Sequence, residues 1–263
     1  VFSTIGSHGS LTVEQALMNS CNPYMIHLAL EMGNSRFAYY QSLFGFGKIT
    51  GIDLPGETTG IVYGDRMTTI DAACNSFGQT INVNMMQMMA AYCSIINGGM
   101  LYQPHIVKRI ESANGEVVKE YKANLVRQTI TASTSKLLRR YLKNTVEEGT
   151  AKKAGVTGYS VAGKTGTAQK GDRKDNKWII SFIGHAPAEN PKFAIYVVID
   201  EPYGTTGTSG SSADVLTLTH NILEKLLPYM NVYKDASDEY EDTSSSPDEL
   251  TVDGIPAGTA SSN

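Results

Sequence analysis

The chain has 263 residues, 41% of them hydrophobic and 18% charged, which is enough to bury one large domain or two small ones. No apolar run approaches the ~18–20 residues that a bilayer-spanning helix requires, and the most apolar stretch, 85–96, is broken by Gln87, Tyr92 and Ser94. The net charge of −4 is uneven: eight acids and one lysine lie from Tyr233 onward, so the body is slightly basic, and nothing in it points to a nucleic-acid partner.

The first residues, Val1-Phe2-Ser3-Thr4, do not begin with methionine and read as the middle of a longer protein, so targeting is not legible there. Three cysteines (Cys21, Cys74, Cys93) in apolar surroundings are expected to be small buried hydrophobes rather than a disulfide framework. The five histidines show no ligand spacing, so no metal site and no cofactor are expected.

Thr12 and Gln15 form a capping-box pattern for a first helix with Val13, Ala16 and Leu17 on its apolar face. The run breaks at 19–22. Pro23 suits the first turn of a second helix that buries Met25, Ile26, Leu28, Ala29, Leu30 and Met32 and ends at Gly33. A short third helix over 36–44, a glycine-rich loop over 45–64, a helical piece over 69–75, an interruption at 76–79 and a long helix over 83–97 follow. The methionines of that last helix read as core packing rather than a ligand surface.

After Gly99 the pattern changes. Polar and apolar residues alternate over 105–110 and 116–121 around Asn114-Gly115, which predicts a hairpin. An amphipathic helix is expected over 133–148, strands over 160–170, 178–184 and 193–199, and a final helix over 211–227. Ser211 and Asp214 would cap that final helix, with Val215, Leu218, Ile222, Leu223 and Leu226 facing the sheet. The short loops favour an antiparallel sheet. The expected architecture is α/β of the α+β kind: a sheet of about five antiparallel strands flanked by helices, plus a mostly helical part. Residues 1–232 form one domain, helical over about 1–100 and sheet-containing over 101–232. An acidic tail, 233–263, is expected to be disordered and dispensable for folding.

Two short stretches carry candidate chemistry. In Lys164-Thr165-Gly166-Thr167 a lone cation and two hydroxyls flank a glycine on a strand, a pattern suited to an anionic, peptide-like ligand lying along the strand edge. By itself this string is common, and both threonines read equally well as ordinary strand residues. Ser20-Cys21-Asn22 sits between two helices, where a hydroxyl and an amide could face a cleft. Taken alone it reads as a helix start with Asn22 as N-cap before Pro23.

Together, and in this order, the two stretches match two of the three motifs of serine acyl-transfer enzymes that interact with penicillin: Ser-x-Asn, then Lys-Thr-Gly. The chain further resembles class B penicillin-binding proteins over about residues 5–230. The resemblance is carried by 8–17, Asn75-Ser76-Phe77-Gly78-Gln79, Asn97-Gly98-Gly99, Pro104-His105-Ile106-Val107, Glu148-Gly149-Thr150-Ala151, 161–169 and Phe182-Ile183-Gly184-His185-Ala186-Pro187. The family's Ser-x-x-Lys nucleophile motif precedes Ser-x-Asn by tens of residues. Only nineteen residues precede Ser20, and none of them fits. Ser133-Thr134-Ser135-Lys136 has the spacing but follows Ser-x-Asn and opens a helix, where a serine reads as an N-cap.

The resemblance implies a penicillin-binding, β-lactamase-like fold and acyl transfer on the D-Ala-D-Ala end of peptidoglycan stem peptides, with β-lactams as covalent inhibitors. The nucleophile would lie upstream of this chain, leaving the chain itself inactive. Ser20 would pass a proton to the leaving nitrogen, Asn22 would hold the acyl-side amide, and Lys164 would support Ser20. Thr165 and Thr167 would meet the terminal carboxylate, the Thr167 N–H would donate to the oxyanion, and Gly166 would clear space for substrate. It also implies an extracytoplasmic domain on an N-terminal anchor, working with cell-wall synthesis proteins. A D,D-carboxypeptidase or β-lactamase, a β-lactam sensor and a catalytically dead scaffold are the other readings. A class A β-lactamase would need a Glu-x-x-Leu-Asn string after Ser-x-Asn, and none is present.

Overall fold

The computed structural model describes residues 9–172, 174, 177–202 and 211–236. Helices come first along the chain and the strands follow from residue 100 onward. The helical part holds α1 (Val13–Met18), α2 (Asn22–Met32), α3 (Asn34–Leu43), α4 (Thr69–Asn75) and α5 (Met85–Ile96). Local capping sets three of these starts. Thr12 with Gln15, Thr68 with Asp71 and Asn84 with Gln87 each form a reciprocal capping box.

The α2 start differs from expectation. Its N-cap is Cys21, no side chain caps it, and Asn22 is the first helical residue. Its apolar face is also less buried than the pattern implies: only Ala29 is fully buried, and Leu30 is 44% exposed. The helix packs chiefly against α3 and α4.

The second part holds the short strands β1 (Met100–Tyr102), β2 (Arg109–Glu111), β3 (Val117–Glu120) and β4 (Leu125–Gln128). There follow α6 (Ala132–Glu147), the long strands β5 (Ala162–Lys170), β6 (Lys177–Ala186) and β7 (Phe193–Asp200), and α7 (Ala213–Tyr229). β2 and β3 form the hairpin expected around Asn114-Gly115, where Gly115 has φ +84°. β1 pairs with β4, a pairing that no local pattern announces. The long strands form a continuous antiparallel sheet in the order β5-β6-β7. Among the described residues this sheet has three strands where about five were expected.

The core lies between the sheet and α7, with α6 alongside. Ile180, Phe182, Val215, Leu223 and Leu227 are fully enclosed there. The α7 stripe is Val215, Thr219, Leu223 and Leu227, a four-residue spacing that the sequence reading shifted: Leu218 is 42% exposed and Ile222 36%. The Ser211–Asp214 capping box does not form either. Ser212 is the N-cap, without a side-chain bond, and Pro228 falls inside the last turn. Ser133 is likewise not a cap. Thr131 caps α6 by accepting from the Thr134 N–H, while Ser133 is exposed with its hydroxyl 2.9 Å from that of Thr131, and Ser135 is buried, donating to the Ile95 carbonyl.

Two residues of the supposed tail dock on the body. The Asp235 carboxylate accepts from the Ser160 N–H at 2.7 Å and from the Ser160 hydroxyl, and the Asp235 and Ala236 N–H groups donate to the Gly158 carbonyl. The body therefore extends past the expected boundary at residue 232. The rest of the tail, 237–263, lies outside the described residues.

Among the described residues, the three cysteines are free, no helix is long and apolar enough to cross a membrane, and no group of three or more His, Cys, Asp or Glu is placed to hold a metal ion.

Candidate active site

The site is built where the end of α1 meets β5. α1 stops at Met18, and the chain turns sharply: the Ser20 N–H donates to the Leu17 carbonyl and the Cys21 N–H to that of Ala16. This turn holds Ser20 at φ +51°, the left-handed region, which costs a non-glycine residue ~1 kcal/mol or more. The Ser20 side chain is exposed, and its Oγ accepts a close hydrogen bond from Lys164 Nζ across 144 residues of sequence. The Thr150 hydroxyl lies 3.4 Å from the same oxygen.

Lys164 reaches this position from β5. Its ammonium also donates to the Thr165 carbonyl at 3.1 Å and lies 3.4 Å from the Thr165 hydroxyl. Burial of the side chain pushes its pKa down from the usual 10.5 to about 8. At neutral pH it remains mostly an ammonium, held close to deprotonation.

β5 is an edge strand of the sheet among the described residues. Two observations fix which of its peptide groups face that open edge. The Gly163 carbonyl accepts from Thr145 on α6, and the Thr165 carbonyl accepts from Lys164, so both point away from β6. Backbone groups alternate sides along an antiparallel strand. Thr167, two residues on, therefore presents its N–H to the same open edge. Its side chain is exposed, and among the described residues its hydroxyl has no partner.

Gly166 lies opposite Ser181, and a Cβ there would fall 2.7 Å from the Ser181 hydroxyl. Gly163 is constrained from the other side. The Phe182 ring, fully enclosed, crosses both Gly163 and Gly184, and a Cβ at Gly163 would sit 2.3 Å from its Cζ. Gly163 on β5 and Gly184 on β6 thus leave room for one aromatic ring.

Of the residues picked from sequence, Ser20, Lys164 and Thr165 are brought together, and Gly166 and Thr167 continue along the same edge. Asn22 is half-buried in the first turn of α2, and its amide makes no hydrogen bond to Ser20, Lys164 or any other described residue. Two threonines were missed in this role. Thr145 anchors β5 to α6 through the Gly163 carbonyl, and Thr150 sits beside Ser20. The string Glu148-Gly149-Thr150-Ala151 marked the second in the sequence without revealing what it touches.

The arrangement matches known proteins throughout its length. The family described as "Penicillin binding protein transpeptidase domain" matches residues 3–224. Stage V sporulation protein D of Bacillus subtilis is 40% identical over 232 residues, covering 86% of this chain and 36% of that protein. The peptidoglycan D,D-transpeptidase FtsI of Escherichia coli is 32% identical over 238 residues, covering 88% of this chain and 38% of that protein. The chain thus spans a little over a third of the length of these relatives. Among solved structures, penicillin-binding protein 3 of Mycobacterium tuberculosis complexed with ampicillin superposes with a TM-score of 0.78 at 30% identity, covering 87% of this chain and 53% of that one. A match over nearly the whole chain, with Ser20 and Lys164 joined as the two motifs require, places it in one family: the chain belongs to the penicillin-binding protein transpeptidase domains of class B type.

Proposed function

We propose that this chain is the proton-transfer and substrate-binding part of a serine D,D-transpeptidase that crosslinks peptidoglycan, and that its parent protein supplies the nucleophile from a Ser-x-x-Lys motif upstream of Val1. The observation that carries this reading is the contact between Lys164 Nζ and Ser20 Oγ at the open edge of β5. A strand edge with a cation, free N–H groups and hydroxyls suits the carboxylate end of a D-Ala-D-Ala peptide, which would lie along β5 as an added strand.

In the first half-reaction the upstream serine passes its proton to the lysine of its own motif as its oxygen bonds to the penultimate D-Ala carbonyl carbon. The Thr167 N–H donates to the oxyanion that forms. The C–N bond to the terminal D-Ala then breaks. The departing nitrogen takes the Ser20 proton, and Ser20 is reprotonated by the Lys164 ammonium. In the second half-reaction an amine of a neighbouring stem peptide attacks the ester carbonyl and gives up a proton through Ser20 to the now neutral Lys164; the new amide forms as the serine C–O bond breaks, and the serine retakes its proton from the lysine of its own motif. Thr165 and Thr167 hydroxyls hold the donor carboxylate, and Asn22, whose amide has no partner among the described residues, holds the acyl-side peptide group. A β-lactam enters as the donor does and stops at the ester. The domain works outside the cytoplasmic membrane, alongside other cell-wall synthesis proteins, and needs no metal or cofactor.

The experiment is fluorescent-penicillin labelling of the parent protein, with the modified residue located by mass spectrometry. The expected product is an ester on a serine upstream of Val1. This chain alone is expected not to label, and a parent that does not label would move the domain to a non-catalytic scaffold.

A further inference from the structure

We propose that Thr150 is a positioning residue for proton transfer at Ser20, donating its hydroxyl hydrogen to Ser20 Oγ. The proposal rests on the reading above, in which Ser20 gives its proton to the leaving nitrogen.

The fold delivers Thr150 to Ser20 by backbone features alone. The Thr150 N–H donates to the Met18 carbonyl at 3.2 Å, which ties the turn after α6 to the end of α1. Gly149 makes this approach possible: a Cβ there would lie 2.9 Å from the Met18 carbonyl oxygen and 2.9 Å from both Cα and O of Thr145. Ser20, two residues after Met18, is held in its left-handed conformation beside this turn. Core packing does not account for the Thr150 side chain, which is exposed and whose one hydrogen bond among the described residues is to Ser20.

Valence decides what the contact does. A serine oxygen has two lone pairs and one proton. The Lys164 ammonium occupies one lone pair. If Thr150 occupies the other, both acceptor sites are filled, and the Ser20 proton is left to point outward toward the substrate edge of β5. At 3.4 Å the resting contact is long and weak. It strengthens as the Ser20 proton departs and negative charge develops on Oγ, so its contribution falls on the transition state rather than on substrate binding.

The test uses the parent transpeptidase and stopped-flow measurement of penicillin acylation, separating the acylation rate constant from the affinity that precedes it. Thr150→Val should lower the rate constant by about tenfold, the size of one hydrogen bond to a developing charge, with affinity and melting temperature unchanged. Thr150→Ser should restore it. In a Ser20→Ala background, the Thr150→Val effect should vanish. The proposal is overturned if Thr150→Val acylates normally, if Thr150→Ser is as slow as Thr150→Val, or if the loss persists without Ser20. Failure of the wild-type parent to acylate sinks the transpeptidase reading instead. The contact is then decided in this chain by the NMR titration of Lys164. Removing a donor from Ser20 makes its oxygen a better acceptor for the ammonium. A midpoint that rises in Thr150→Val only when Ser20 is present supports the contact, and an unmoved midpoint overturns it.

Discussion

The hydroxyl of Thr145, fully enclosed on α6, has one hydrogen and two carbonyl oxygens to give it to: that of Leu142, three residues back at 2.7 Å, and, in the closer contact, that of Gly163, the residue before Lys164. The bond to Gly163 fixes the height of β5 against α6 and so sets where the lysine enters the site. Thr145→Val is nearly isosteric and leaves the Gly163 carbonyl buried without its donor. It should cost about 1–3 kcal/mol of stability, seen as a lower urea midpoint at unchanged m-value, while Thr145→Ser should stay close to wild type. A Thr145→Val midpoint equal to wild type would show that the bond contributes nothing.

Gly163 carries a second constraint, from Phe182 below it. Gly163→Ala places a methyl group within the radius of an enclosed ring that cannot move away without opening the core. The expected loss is about 1–3 kcal/mol, typical of overpacking. Phe182→Leu alone should also destabilise, but in combination with Gly163→Ala part of the loss should return, because the ring's share of the clash is gone while that of the Ile183 carbonyl oxygen, 2.6 Å from the new Cβ, remains. Strict additivity of the two would contradict the contact.

Lys164 titrates near pH 8, below the ~10.4 of an unfolded lysine. The sign follows from which state resists the charge. Below pH 8 the folded protein keeps a partly desolvated ammonium, and this opposes folding. As pH rises from about 8 toward 10.4 the folded state sheds the proton first and the penalty is relieved. Lys164→Met should therefore stabilise the fold at pH 7, and its advantage should shrink toward pH 10.4, while acylation of the parent falls. An NMR midpoint for Lys164 above pH 10 would remove the basis for this.

Local chemistry was legible and non-local chemistry was not. The capping box at Thr12 needs only a four-residue string, and the first helix starts where that string puts it. The hairpin at Asn114-Gly115 follows from the positive φ its glycine supplies. By contrast, β4 is four residues long and mostly exposed, and its partner β1 lies more than twenty residues back, so no periodicity marks either. The stripe on α7 was misjudged because Leu218 and Ile222 are as apolar as Leu223 and Leu227, and only the sheet decides which set is covered. At the site, Ser20 and Lys164 were recognisable because their motifs are short and ordered. Thr145 and Thr150 were not, since each acts through a tertiary contact, Thr145 with a carbonyl on β5 and Thr150 with the turn after α1.

Asp235 shows the same limit at the other end. Composition assigned it to an acidic tail, yet it fills the acceptor needs of Ser160, which is itself buried. Truncation after Val232, or Asp235→Ala alone, leaves the Ser160 N–H and hydroxyl without their acceptor. Each should lower stability by about 1 kcal/mol or more, read as a drop in melting temperature. An unchanged melting temperature in both would return the boundary to residue 232.

The Ser160 hydroxyl also accepts from the Ala188 N–H at 2.9 Å, and the Ala188 carbonyl in turn meets His185 Nε2 at 3.1 Å, while Tyr92 OH lies 2.8 Å from His185 Nδ1. Facing a carbonyl, Nε2 must carry the proton, so Nδ1 accepts from Tyr92 and the imidazole is neutral. Burial holds its pKa at about 4, against ~6.5 unfolded. Above pH 6.5 neither state binds the proton. Between 6.5 and 4 only the unfolded chain binds it, so stability falls as pH drops through that window, by at most ~1.4 kcal/mol per pH unit, and levels off below 4. His185→Gln preserves an acceptor for Tyr92 and a donor for Ala188 but cannot titrate. Its urea-derived stability should run parallel to wild type above pH 6.5 and should fall less steeply below, by about one proton's worth of slope. If the two curves stay parallel down to pH 4, His185 is not held neutral by the fold, and the network from Tyr92 to Asp235 does not depend on its charge state.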